Sequence, residues 1–189
     1  MVGKKNIVFG FLFLMFTASL GPYIALKMIP QLSEAGAQKR TSLGKLQQLI
    51  DAKFKDEIEE TQIPLADIAV TLGKAIRAVN APLNQRDAIN RVKDVHVHGN
   101  LESVLNILAG LVLCFLAAPM LVKQLISWLF ILGALLHSGL AYLARAPFLE
   151  MGWADVVYQY GVGQIMIVLA LLLTGVASAI WLRPTVIED

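Results

Sequence analysis

Charged residues vanish from four long stretches of this chain, residues 6–26, 103–122, 124–144 and 156–182. Each is long enough to cross a bilayer, since a hydrocarbon core of about 30 Å needs roughly 20 apolar residues rising about 1.5 Å apiece. Backbone polar groups in lipid must be satisfied within the segment, so the runs predict helices. The alternative, a closed barrel, needs alternating polar and apolar residues, which runs such as Ile107-Leu108-Ala109-Gly110-Leu111-Val112-Leu113 do not show. Lys4 and Lys5 ahead of an apolar stretch from Ile7 to Phe16 resemble the start of a signal peptide. Small residues are poorly placed for cleavage around Thr17-Ala18-Ser19-Leu20, and the apolar run continues to Leu26, so a retained helix is expected.

Between the first two spans the pattern becomes amphipathic. Leu43, Leu46, Leu49, Ile50, Phe54 and Ile58 recur at helical spacing, and Thr61-Gln62-Ile63-Pro64 breaks the run. Pro64 then opens a second helix whose face is Leu65, Ile68, Leu72, Ile76 and Val79, and Asn80-Ala81-Pro82 is expected to end it. Asn84 can cap a third helix running from about Gln85 through Ile89 and Val92 towards span two. The predicted fold is an all-α integral membrane protein with four transmembrane helices and an extracytoplasmic helical insertion between the first and second. It divides into an N-terminal span (1–29), a helical segment (30–100) and a three-span region (101–189).

Composition agrees with that fold class. At 57% hydrophobic, 16% charged and a mean hydropathy of +0.64, the chain is too apolar for an ordinary soluble enzyme or a disordered tail. A net charge of +2 supplies no strongly basic face for nucleic acid. The single cysteine, Cys114, excludes an intrachain disulfide and a thiolate metal cage. Lys4, Lys5, Lys123 and Arg183 flank one side of the spans against Lys27 and Arg145 on the other, so both termini are expected in the cytoplasm of a bacterium, with segment 31–101 periplasmic. Lys123 is read as the tight turn between spans two and three. Trp128 and Trp181 near the inner ends, with Tyr142, Phe148, Trp153, Tyr158 and Tyr160 near the outer ones, suit interfacial belts.

Polar and small residues mark the inward faces. Glu102, Asn106, Gly110 and Cys114 repeat at intervals of four on span two, as Gly133, His137 and Ala141 do on span three. Thr17 and Gly21 on span one, with Thr174, Gly175 and Ser178 on span four, follow the same logic. Glu102, Asn106 and Gln164 form the expected buried polar group of the bundle, with Asn106 and Gln164 as interhelical hydrogen-bonding residues.

Candidate chemistry rests on three histidines, His96, His98 and His137. In an extended chain a His-x-His pair can bind copper or zinc, whereas on a helix the two rings stand about 200° apart. Gly99 offers a helix end that permits the extended form, and Asp94, Glu102, Glu150 and Met151 are further donors. A haem b held by paired imidazoles is the more specific alternative. Counted from Lys123, however, His98 and His137 differ in depth by about 16 Å. No charged residue lies within the four runs, which gives a transporter little to work with, and no nucleophile elbow, HExxH or phosphate loop supports hydrolysis. The first expectation is a non-catalytic accessory subunit that binds other membrane-protein subunits in the bilayer. The alternatives are a metal or haem protein and a transporter component.

Overall fold

The computed structural model describes residues 2–55, 62–146, 149 and 151–183. Ile58, Thr61, Phe148 and Glu150 lie outside the described residues. The described chain is almost wholly helical: α1 (Val2–Tyr23), a π-helical turn (Ile24–Met28), α2 (Ile29–Asp51), α3 (Leu65–Phe115), α4 (Met120–Ala134), a second π-helical turn (Leu135–Gly139), α5 (Leu140–Arg145), α6 (Gly152–Gln159) and α7 (Val162–Trp181). Four continuous helical stretches are long and apolar enough to cross a membrane: Val2–Asp51, Leu65–Phe115, Met120–Arg145 and Val162–Trp181. Two compact units result, one made of residues 1–22 and 91–189 and the other of residues 23–90.

In the first unit, α1 lies against the C-terminal part of α3 along a seam that repeats every seven residues. Gly3, Gly10 and Thr17 meet Gly110, Ser103 and His96 in turn, an antiparallel register of constant sum. A Cβ built on Gly3 would lie 2.2 Å from the Gly110 carbonyl oxygen, and one on Gly10 would lie 2.6 Å from that of Ser103. Only residues without a side chain allow backbones so close, and in lipid that close packing replaces the hydrophobic drive as the source of helix association. The same device joins α4 to α7, where a Cβ on Gly163 would fall 2.7 Å from the Gly133 carbonyl oxygen. Leu113, Leu116, Ile126, Phe130, Ala170 and Ala177 fill the core between α3, α4 and α7.

Several sequence boundaries move. Spans two and three reverse direction at Leu116–Pro119, with Pro119 capping α4, and not at Lys123, which is buried within the first turns of α4. The reversal is fastened to the end of α7, where Ala117 donates to the Trp181 carbonyl at 2.8 Å and Arg183 to the Phe115 carbonyl at 2.9 Å. The last span begins at Val162, not Val156, because Gly161 takes a left-handed conformation (φ 67°) that separates α6 from α7. Gly99 does not end a helix. It is buried inside α3, where a Cβ would sit 2.3 Å from the Thr17 methyl group, so its lack of a side chain serves close approach.

In the second unit, α2 and the N-terminal part of α3 form a hairpin. The expected break at Asn80-Ala81-Pro82 is absent, and α3 runs through Pro82 without a new cap at Asn84. Contacts on both sides of the proline hold the helix in line: Gln85 donates to the Met28 carbonyl at 3.4 Å and to Gln31 at 2.9 Å, while Ala75 and Val79 face Leu43 and Leu46. These contacts offset the single hydrogen bond that a proline removes.

Candidate functional site

The part of α3 around His98 and Glu102 and the π-helical turn after α4 bring together several ionisable groups of the first unit. The π turn places His137 at a local widening of the helix, a feature common at functional positions. Its ring is 6% exposed and faces α3, where Glu102, also buried, takes a hydrogen bond from Nδ1. The Gln164 amide Nε2 lies 2.9 Å from the other ring nitrogen and donates to it. With the donor proton on Nδ1 and an acceptor lone pair on Nε2, both nitrogens of a neutral imidazole are satisfied. Gln164 reaches this point because neighbouring Gly163 lets α7 touch the backbone at His137.

Aromatic contacts fix the ring from the sides. Tyr158 of α6 stacks on it at 5.4 Å between centroids with 11° between planes, and Arg145 sits 4.5 Å from the centre of the Tyr158 ring. Arg145 in turn pairs with Asp155 at 3.6 Å. His98 packs against His137 edge on, with centroids 5.4 Å apart. The depth difference expected for these two rings is therefore absent. Measured from the true reversal, His98 lies 18 residues before Leu116 and His137 lies 18 residues after Pro119, so the two are level.

His96 goes elsewhere. Its position on the opposite side of helical α3 turns it towards α1, where Nδ1 donates to the Thr17 carbonyl at 2.8 Å. Thr17 also donates its hydroxyl to Asn100 at 2.8 Å. His96, His98 and His137 thus do not converge, and among the described residues no group of three or more His, Cys, Asp or Glu side chains is placed to hold a metal. The space shared by Asp94, His98, His137, Ser138, Arg145 and Tyr158 is about 10 Å³, room for one water and far too small for a porphyrin. Among the described residues, two buried oxygens, Glu102 Oε2 and Ser138 Oγ, lack a hydrogen-bond partner.

One helical turn deeper, a second polar cluster ties three helices. Asn6 of α1 donates from Nδ2 to Asn106 Oδ1 and to the Ser127 carbonyl, each at 3.2 Å, and its Oδ1 accepts from the Ser127 hydroxyl. Asn106 donates to the Glu102 carbonyl at 3.0 Å and to the Phe130 carbonyl at 3.3 Å. Asn6 and Ser127 were not singled out by the sequence reading, although an Asn within an apolar run is the signal that marked Asn106. Lys5 adjoins the cluster, donating to Gln124 at 2.6 Å and lying 4.2 Å from the centre of the Trp128 ring.

Chemically, the Glu102-His137-Gln164 chain orients one imidazole rigidly and satisfies both its nitrogens within the protein. Comparison with protein-family models, with curated proteins and with solved structures yields no match to this chain.

Proposed function

We propose that this chain is a non-catalytic, partner-binding subunit of a membrane assembly. In this reading the intramembrane polar residues lock the bundle, and the helical hairpin of residues 23–90 receives a protein partner. The observation that carries it is the exposure of the hairpin: α2 buries none of its 23 residues. Leu43, Ile50, Leu72 and Ile76 stand exposed, as does Leu65 at 85%. Segment 31–101 holds ten basic and nine acidic residues, so lipid is not the natural cover for this apolar surface. Helices in water draw most of their stability from a packed amphipathic face, and an uncovered apolar patch of this kind marks an interaction surface. Between Leu43, Leu46, Leu72, Ile76 and Val79 lies a cavity of about 190 Å³ that a partner's apolar side chain can enter.

We place the chain in the cytoplasmic membrane of a bacterium, with both termini inside and the hairpin in the periplasm. The basic residues Lys4, Lys5, Lys123 and Arg183 support that orientation. The test is extraction of the full-length protein with its native lipids, followed by mass measurement of the purified particle. A partner in fixed stoichiometry, lost from Leu72→Glu and Ile76→Glu variants that keep their helical content, is expected. A particle of unaltered mass in wild type and variants would contradict the reading.

The metal reading retains one favourable observation, the level His98 and His137 rings 5.4 Å apart. For His137 to bind copper or zinc through Nε2, Gln164 must yield, leaving Glu102 as the carboxylate that orients the ligand.

A further inference from the structure

We propose that a groove along the hairpin binds a soluble phosphate-bearing anion. The groove lies between α2 and α3, within the second unit, open to solvent along its length and offering about 620 Å³. Its size follows from its lining: Ala37, Ala78 and Ala81 present only methyl groups where larger residues would close the gap. Polar side chains gather around that floor. Lys74 and Arg77, one helical turn apart, line one wall, and Gln38, Thr41 and Ser42 line the other.

Two features favour an anion. Among the described residues, neither Lys74 nor Arg77 makes an ion pair. Arg77 is also steadied, since its Nε donates to the Gly73 carbonyl at 3.4 Å. A guanidinium beside an ammonium, with the Ser42 hydroxyl on the facing wall, suits a tetrahedral oxyanion, while the Thr41 hydroxyl donates to the Ala37 carbonyl at 3.2 Å and Gln38 to Glu34 at 3.4 Å. The one acidic residue of the lining, Glu34, accepts from Gln38 at 3.4 Å and keeps its charge, so Lys74 and Arg77 leave the groove with a single positive charge in excess. The remaining volume accommodates more than a bare phosphate, so the ligand class is an organic phosphate or pyrophosphate.

Distance decides between a free anion and a lipid headgroup. The apolar run ends at Leu26, and the groove extends from Glu34 to Ser42, about 12 to 24 Å further along the helix. The polar layer of a bilayer adds only about 5 to 7 Å on each side. A soluble anion therefore reaches the groove more readily than a headgroup of the same membrane.

The proposal is independent of the partner reading and is tested by calorimetry on the full-length protein in nanodiscs. Inorganic pyrophosphate is titrated into discs of phosphatidylcholine alone, using wild type, the double variant Lys74→Gln/Arg77→Gln, and the control Arg40→Gln/Lys45→Gln, which removes the same charge outside the groove. Saturable binding to wild type, weakened about tenfold or more in the groove variant and little changed in the control, is expected. Absence of saturable binding, or equal weakening in both variants, overturns the proposal. Retention of phosphatidylglycerol from mixed discs, lost in the groove variant while pyrophosphate fails to bind, also overturns it by assigning the cradle to a lipid headgroup.

Discussion

Glu102 and His137, 35 residues apart in the chain, share a hydrogen bond buried within the bundle, and Gln164 completes the chain from a third helix. The pair joins α3 to the π-helical turn that follows α4. Its contribution must appear as coupling, since removing either partner strands the other in a low-dielectric interior. Glu102→Ala and His137→Ala are each expected to lower stability by about 1 to 3 kcal/mol, with the double variant costing clearly less than the sum. Reversible unfolding in mixed micelles measures the cycle, and strict additivity would show that the two side chains act separately.

The α1–α3 seam makes a steric prediction. Gly3→Leu and Gly110→Leu place a side chain where the facing backbone already stands, so α1 should detach from α3. Crosslinking between cysteines introduced at positions 17 and 100, whose side chains already meet across the seam, should fall sharply in both variants. Gly44 has nothing within 4 Å of a built Cβ, and Gly44→Ala should stabilise by about 0.5 to 1 kcal/mol through helix propensity alone. Equal loss from all three substitutions would contradict the close-approach account.

Asn6 and Asn106 connect three helices through one hydrogen-bonded cluster. Asn106→Leu should cost about 1 to 2 kcal/mol, the scale of interhelical hydrogen bonds in lipid. Asn6→Leu/Asn106→Leu should recover part of that loss because no amide is left unpaired. A double variant worse than the two single losses combined would count against the cluster.

How much of this was legible beforehand depends on which physical signal each feature leaves. The spans show in the sequence because charges are excluded from hydrocarbon, and Glu102, Asn106 and His137 stand out because polar groups in apolar runs are costly. The chain reversal at Leu116–Pro119 leaves no charge signal, because the lysine that marks a turn in the sequence, Lys123, is buried in α4. That shift alone hid the level placement of His98 and His137. Gly99 and Pro82 misled in the same way: both break isolated helices, but here packing against Thr17 and the Gln85–Gln31 contact outweigh local propensity. Gly3, Gly10 and Gly163 carry little hydropathy signal, so the contacts that position Thr17 and Gln164 appear only with the fold.

The account's central claim is that the histidines serve the internal architecture of the bundle while binding resides on the hairpin. Its most direct test is the visible spectrum and metal content of the purified protein in mild detergent, beside His96→Ala, His98→Ala and His137→Ala variants. The account predicts a colourless protein with metal far below one ion per chain in all four samples, and reduced stability in His96→Ala and His137→Ala. A Soret band, or near-stoichiometric copper, iron or zinc that disappears with His98 or His137, would contradict it.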